Sequence, residues 1–152
     1  MPSDQTDAYW MQQALMQAQT AAQMNEVPIG AVITHDNQLI ASGYNCPISQ
    51  QDPCAHAEIM AIKAAADNQA NYRLLNTTLY VTVEPCMMCV GAMTHARIDR
   101  VVFGCSEPKA GALCSQLHYE ELTFLNHRFT FEGGILEESC RNLIQSFFKD
   151  KR

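Results

Sequence analysis

An α/β sandwich is the fold class that this 152-residue sequence predicts. Short apolar runs of strand length alternate with longer segments in which apolar residues recur at helical spacing. A strand–helix–strand segment in the middle of the chain has the order of a parallel crossover, which is right-handed in nearly all proteins. The composition is 47% hydrophobic, and a chain of this length can bury a sizeable core without disulfides. We therefore predict that residues 1–152 form a single domain.

The first part of the chain predicts a helix followed by a hairpin. Residues 7–24 form the helix, which ends before Pro28. Its apolar face consists of Met11, Ala14, Leu15, Ala18, Ala21 and Ala22. Two apolar runs, 29–33 and 39–42, are joined by turn-forming residues at 35–37 and predict the hairpin.

The middle of the chain alternates between helices and strands. Residues 45–53, rich in Pro, Asn and Asp, predict a loop. Residues 55–66 are apolar on nearly every face and predict a buried helix. The β-branched run at 79–83 predicts a strand, which a helix over 86–95 and a strand over 100–103 follow.

Pro85 and the last third of the chain give the remaining predicted elements. Pro85 suits the first turn of the helix that follows it. Residues 105–116 predict a loop, and a weak strand is predicted near 128–131. A final helix has an apolar face made of Leu136, Cys140, Leu143, Ile144, Phe147 and Phe148. Open sheets of this kind bind ligands at the carboxyl ends of their strands, where Cys86 lies.

Composition excludes several classes of protein. The polar opening of the chain lacks the features of a signal peptide, and no apolar run approaches the length that crosses a bilayer. A cytoplasmic location without membrane attachment is therefore expected. The net charge of −6 is unusual for a protein that binds nucleic acid. However, Lys63 is the only cation in residues 1–72, so a local basic patch is possible in the second half.

The seven cysteines indicate a reducing compartment, because an odd number does not fit a disulfide framework. Cys86 and Cys89 form a CxxC pair. The others, Cys46, Cys54, Cys105, Cys114 and Cys140, are most simply interpreted as small reduced residues. Cys54 precedes His56 by two positions and is a rival metal ligand.

His56-Ala57-Glu58 and the later Pro85-Cys86-Met87-Met88-Cys89 form the pattern with the clearest chemical meaning. An imidazole and two thiols are typical zinc ligands, and three protein ligands leave the fourth position open for water, as in catalytic sites. Cys86 and Cys89 fall on one face of a helix, in its first turns, where the helix dipole favours thiolates. A CxxC pair alone is weak evidence, but a strand and proline before it and the upstream histidine favour zinc.

Glu58 has two possible interpretations. It could be an ordinary carboxylate stabilised at a helix N-terminus. Its apolar neighbours instead predict burial, and a buried carboxylate usually has a task. Spacing alone does not bring Glu58 to the metal, because residues i and i+2 lie on different helix faces.

Other side chains have weaker signals. Asn45 could hold a base by its amide group or could be a simple turn residue. Phe147 and Phe148 could cover the core or stack on bases. Met87, Met88 and Met93 are interpreted as core residues.

The chain closely resembles the bacterial tRNA-specific adenosine deaminases of the cytidine deaminase superfamily. The H-x-E and P-C-x-x-C motifs mark zinc deaminases in general. More specific similarity lies in 26–32, 52–61, 71–74, 79–86, 91–98 and 100–104, and it extends from about Tyr9 to Phe148.

This resemblance implies a three-layer α/β/α fold with a mixed five-stranded sheet, like that of cytidine deaminase, and a homodimer that holds RNA. It implies hydrolytic conversion of adenosine to inosine at the wobble position of an arginine tRNA anticodon. His56, Cys86 and Cys89 would bind one Zn²⁺ per subunit, with water as the fourth ligand. Glu58 would move the protons.

The resemblance also implies substrate contacts. Asn45 would hydrogen-bond the target adenine, and Val27, Pro28 and Val83 would form walls of the base pocket. The loop 106–109 differs from that of relatives, which often carries an Arg-Asp pair, and keeps Lys109 as its cation.

Two other functions stay open. A deaminase of free nucleobases or nucleosides, acting on cytosine, guanine or a related ring, would need the same zinc site. A non-catalytic subunit could use zinc for stability and present an RNA-binding surface. Such subunits typically lack the proton-transferring glutamate, and Glu58 is present.

Overall fold

The computed structural model describes residues 5–151 of the chain. Residues 1–4, part of the polar opening, and Arg152 of the mildly basic C-terminus lie outside the described residues. The helices are α1 (Asp7–Gln23), α2 (Pro47–Gln50), α3 (Ala57–Gln69), α4 (Met87–Ala96) and α5 (Glu137–Asp150). The strands are β1 (Gly30–His35), β2 (Gln38–Tyr44), β3 (Thr77–Val83), β4 (Arg100–Cys105) and β5 (Thr130–Glu132).

The five strands form one mixed sheet in the order β2-β1-β3-β4-β5. Strand β1 is antiparallel to both β2 and β3, whereas β3, β4 and β5 run parallel. The predicted parallel pairing of the segment β3-α4-β4 is therefore confirmed.

Helices cover both faces of the sheet. Ala31 and Ile33 of β1 point into a core that also contains residues of α3 and α4. Val32, between them, points to the opposite core, which contains residues of α1 and Cys140 of α5. This alternation follows from the two-residue period of a strand, and it confirms the predicted three-layer fold.

The hairpin between β1 and β2 forms as the sequence predicts. Asp36 and Asn37 connect the strands, and both have positive φ angles, of 51° and 56°. Two central residues with positive φ are typical of the tight hairpin turn that matches the twist of the strands, and Asn and Asp tolerate this conformation well. The register shifts between Ile33 and Thr34, where Ile40 of β2 forms a bulge without a partner in the pairing. The side-chain amide of Asn68 donates to the Ile40 carbonyl over 3.0 Å.

Three local expectations were wrong. Pro85 precedes the N-cap residue of α4, Cys86, and so lies outside the first helical turn. The predicted loop 45–53 contains the short helix α2, because the buried Glu26 carboxylate accepts N–H groups of its first turn. Met87 is 73% exposed and is not a core residue, because the face of α4 that carries it is uncovered. Within residues 5–151, no helix has the length and apolar character needed to span a membrane.

Gly30 is the point at which α1 lies directly on β1. A Cβ atom at Gly30 would lie 2.1 Å from the carbonyl oxygen of Ala14 and 2.4 Å from the amide nitrogen of Ala18. Because both atoms belong to the backbone, the helix must move to admit a methyl group. Gly30→Ala should therefore lower the free energy of unfolding by about 1–3 kcal/mol, measured by urea denaturation. Gln19→Ala, on the exposed face of α1, is the control and should change it by less than about 0.5 kcal/mol.

Candidate active site

One edge of the sheet collects the ends of several elements. Val83 and Cys105, at the carboxyl ends of β3 and β4, lie side by side. Gly30 and Tyr44, at the start of β1 and the end of β2, pair at the same edge of the sheet. Cys46, two residues after Tyr44, donates its N–H to the carbonyl of Ala55 over 2.9 Å. The start of α3 therefore reaches this edge as well.

His56, Cys86 and Cys89 meet there. His56 is the N-cap residue of α3, Cys86 is the N-cap residue of α4, and Cys89 lies in the first turn of α4. The Nδ1 atom of His56 lies 3.6 Å from each of the two sulfur atoms. All three candidate ligand atoms lie within 4.8 Å of one another, so together they could hold a metal ion. The starts of α3 and α4 therefore converge on this group.

The electrostatics of this group favour a cation. Hydrogen bonding with Cys89 and His56, against the opposing effect of burial, lowers the pKa of Cys86 to about 4. The same contact with Cys86, together with desolvation, raises the pKa of Cys89. The pKa of His56 is raised by its hydrogen bond to the Cys86 sulfur. Since the two thiols compete for one negative charge, a bound cation is needed to make both of them thiolates.

Glu58 lies beside these ligands in the first turn of α3. Only 4% of its surface is exposed, which confirms the predicted burial. Desolvation raises the pKa of its carboxyl group to about 7, against the opposing effect of hydrogen bonds with its own backbone N–H group and with Cys89. A carboxyl group with such a pKa can both accept and donate a proton near neutral pH.

The predicted base-pocket residues lie at the same edge of the sheet. Asn45 is 7% exposed, and its backbone N–H donates to the carbonyl of Ile29 over 3.0 Å. Pro28 is buried and Val27 is half-buried, just before β1. Val83, 5% exposed, ends β3 three residues before Cys86. Their roles toward a substrate stay predictions.

Lys109 and Phe148 lie together on the surface, although they are far apart in the sequence. They line one depression with Gln145, Lys149 and Lys151. Phe148 is 48% exposed. Phe147 lies instead near Asn25, with the Lys151 ammonium 5.3 Å from its ring centre. The predicted contacts of Lys109, Phe147 and Phe148 with substrate stay predictions.

The other cysteines do not join the group of His56, Cys86 and Cys89, which could hold a metal ion. Cys54, the rival ligand, is exposed, and the three-residue group formed by the described residues does not include it. Cys46, Cys105 and Cys140 are buried, and Cys114 is exposed. All of them are free thiols, as expected.

Two buried glutamates are important here, and the sequence analysis missed them. Glu26 holds α2 by accepting the N–H groups of Ile48 and Ser49. Glu84, 3% exposed, accepts hydrogen bonds from the loop after β4. Burial alone would raise the pKa of each carboxyl group, but these hydrogen bonds lower it overall. The available signal was an acidic residue directly beside an apolar run, Glu84 after β3 and Glu26 before Val27.

Comparisons with known proteins agree with this geometry. Residues 5–152 match the family of MafB19-like deaminases. A tRNA-specific adenosine deaminase of Haemophilus influenzae is 46% identical, and the match covers 96% of this chain and 85% of that protein. A tRNA-specific adenosine deaminase of Streptococcus pyogenes serotype M1 is 44% identical, with 95% and 84% covered.

Solved structures share the fold. One, from studies of A-to-I editing by tRNA:A34 deaminases at the wobble position of transfer RNA, has a TM-score of 0.86 and 36% identity. The match covers 89% of this chain and 98% of that one. A guanine deaminase from Nitrosomonas europaea has a TM-score of 0.77 at 19% identity, with 93% and 84% covered, and shows the fold alone. Because the 46% identity extends over nearly the whole chain, the chain belongs to the family of tRNA-specific adenosine deaminases, within the MafB19-like deaminases.

Proposed function

We propose that this protein is a zinc-dependent hydrolase that converts adenosine to inosine at the wobble position of a tRNA anticodon, with release of ammonia. An arginine tRNA is the expected substrate. The observation that carries the proposal is the buried carboxyl group of Glu58 beside His56, Cys86 and Cys89. Relatives that are tRNA-specific adenosine deaminases, at 44–46% identity, support the choice of substrate.

Zinc fits the ligand set. With zinc–nitrogen and zinc–sulfur bonds of about 2.0 and 2.3 Å, tetrahedral geometry separates the two ligand atoms by roughly 3.5 Å. The observed distances from His56 Nδ1 to the sulfur atoms of Cys86 and Cys89 are 3.6 Å. One nitrogen and two sulfur atoms also match the ligands that zinc prefers. When bound, zinc would lower the pKa of a coordinated water and so supply the nucleophile.

Glu58 is assigned the proton transfers. Its carboxylate would take a proton from the water that attacks C6 of the adenine. It would deliver this proton to the ring nitrogen, then take the second proton from the hydroxyl group formed on C6 and pass it to the amino group, which leaves as ammonia. Burial suits this task, because the raised pKa of Glu58 leaves the carboxyl group ready to change its protonation state near neutral pH.

Side chains beside the candidate metal ligands would together form a pocket that holds the base outside its stack. Asn45 offers an amide donor and acceptor to the edge of the adenine, while Val27, Pro28 and Val83 offer apolar walls. A base in a single-stranded anticodon loop can be turned out at low cost, which suits a site formed by buried side chains.

The surface around Lys109 answers the objection that the chain is acidic. The depression that Lys109, Phe148 and Lys149 share combines cations for phosphates with an exposed aromatic side chain for stacking. We therefore infer that RNA contacts this part of the surface despite the net charge of −6.

The substrate is tested by incubating the zinc-loaded protein with an arginine-tRNA anticodon stem-loop that has adenosine at the wobble position. Free adenosine, cytidine and guanine are tested separately, and mass spectrometry of the digested products identifies the bases. We expect inosine from the stem-loop only, with a rate that falls steeply as salt increases. Deamination of only a free base or nucleoside would show instead that the protein is a nucleobase or nucleoside deaminase. Binding of the stem-loop without any turnover would indicate the non-catalytic subunit.

The proposal includes a homodimer, and an uncovered apolar groove supports it. Met87 of α4 and Phe124 are 73% and 76% exposed, and both line this groove with Leu117, Leu122 and Leu125. Exposed apolar surfaces of this kind commonly mark protein interfaces.

Met87→Glu should therefore convert a dimer into the 17.0 kDa monomer, measured by light scattering after gel filtration. Met16→Glu, which changes a 57% exposed methionine on α1, is the matched control and should stay dimeric. A monomeric wild-type protein would contradict the dimer, and a dimeric Met87→Glu variant would contradict this interface.

A further inference from the structure

The buried carboxylate of Glu84 accepts five hydrogen bonds from the loop after β4. Its Oε2 atom accepts the N–H groups of Leu113, Cys114 and Ser115 at 3.1, 2.9 and 3.0 Å. Its Oε1 atom accepts the N–H group of Glu107 at 3.1 Å and the hydroxyl group of Ser115 at 2.5 Å. One buried carboxylate therefore holds both ends of the segment 107–115.

The segment is packed tightly against this carboxylate. A Cβ atom at Gly111 would lie 2.3 Å from Cδ of Glu84 and 2.6 Å from the carbonyl oxygen of Glu107, so a larger residue would have to displace them. The N–H group of Ala112 donates to the carbonyl of Pro85 over 2.9 Å. The segment is thus fixed directly to the residues that precede Cys86.

Part of the segment between the two fixed ends faces solvent. Pro108, Lys109 and Ala110 are exposed, whereas residues 111–113 are buried. The backbone N–H group of Lys109 donates to Oε1 of Glu107, whose own N–H group donates to Glu84. The position of Lys109 beside Phe148 therefore depends on Glu84 through a short chain of hydrogen bonds.

We propose that Glu84 is a positioning residue for substrate: it fixes the segment 107–115 so that Lys109 is held in place to receive RNA beside the active site. This inference rests on the proposed function, because it assigns RNA as the ligand of that surface. The energetic reason is that a segment ordered before binding does not lose conformational entropy when RNA binds. The hydrogen bonds of the Glu84 carboxylate go to this segment and not to His56, Cys86 or Cys89.

The first test is Glu84→Gln, which keeps the shape of the side chain. An amide has one acceptor oxygen, so its NH₂ group must face N–H donors and the contacts on that side are lost. We expect KM for the anticodon stem-loop to rise about tenfold, with kcat changed less than about threefold and zinc content unchanged. Glu132→Gln removes the same charge from the exposed end of β5 and should leave KM and kcat near wild type.

Two further variants distinguish an effect on the loop from an effect of Glu84→Gln on the neighbouring Cys86. Gly111→Ala disturbs the same contact from the side of the loop and should reproduce the rise in KM. Lys109→Ala combined with Glu84→Gln should raise KM less than the product of the two single effects, because both act through one cation. A fall in kcat with unchanged KM, or independent effects in the double variant, would overturn the proposal.

Amide hydrogen exchange gives a readout that does not depend on turnover. In Glu84→Gln the N–H groups of Leu113, Cys114 and Ser115 should exchange at least about tenfold faster, while those of β3 stay protected. Unchanged exchange would overturn the anchoring role of Glu84 even if the enzyme is active. If the wild-type protein does not act on the stem-loop, the proposed function fails, and faster exchange would then leave Glu84 as a loop anchor without a role toward RNA.

Discussion

Glu58→Ala should abolish deamination while the protein stays folded and keeps its zinc. General acid–base groups contribute about 10²–10⁴-fold to a rate, and here one carboxyl group handles every proton transfer, so we expect a loss of about 10³-fold or more. The fold should survive, because alanine is a good helix former and Glu58 lies in the first turn of α3. Single-turnover formation of inosine from the stem-loop measures the effect, with zinc content determined on the same sample.

Two variants sharpen this test. Glu58→Gln keeps the size of the side chain but cannot carry the proton, so it should be as inactive as Glu58→Ala. Glu58→Asp keeps the carboxyl group but moves it by one methylene, and it should retain intermediate activity. Turnover within about tenfold of wild type in Glu58→Gln would rule out the proton transfer that we assign to Glu58.

Cys89→Ala should remove the metal and, with it, both activity and stability. Cys89 is fully buried among core residues of α4. Its replacement by alanine would leave Cys86 and His56 as the two remaining candidate ligands. Loss of one of three ligands should lower zinc content from about one ion per chain to nearly none, and turnover should fall below detection. The unfolding temperature should fall as well, because metal binding adds to the free energy of folding.

Cys54→Ser is the matched control, because Cys54 is an exposed thiol only two residues from His56. It should keep full zinc content and activity. Zinc loss in Cys54→Ser, or zinc retention in Cys89→Ala, would show that a different set of residues binds the metal. Treatment of the wild-type protein with a chelator, followed by return of zinc, should abolish and then restore turnover.

Features that depend on local sequence were predictable. The apolar spacing predicts α1 almost to the residue, and the Asp36–Asn37 turn predicts the hairpin. The CxxC spacing predicts that Cys86, at the N-cap of α4, and Cys89, in its first turn, lie close together, and the apolar neighbours of Glu58 predict its burial. Each of these properties is set within a few residues of the chain.

Features that depend on distant partners were not predictable. The hydrogen bonds of Glu84 reach residues 23–31 positions away, and those of Glu26 reach residues 22–23 positions away. The meeting of Lys109 and Phe148 requires α5 to return across the sheet to the loop after β4. The exposure of Met87 likewise reflects which face of α4 the rest of the chain leaves uncovered. No periodic pattern contains this information.

The bulge at Ile40 has a consequence for the behaviour of the protein at high concentration. A sheet with open edges can recruit strands from other molecules and so begin to aggregate. Here the β2 edge is interrupted at Ile40, where Asn68 occupies the carbonyl, and the opposite edge strand β5 is only three residues long. Neither border gives an incoming strand a long, regular ladder of donors and acceptors. Concentrated protein should therefore resist fibril formation, because strands of other molecules find no long edge with which to pair.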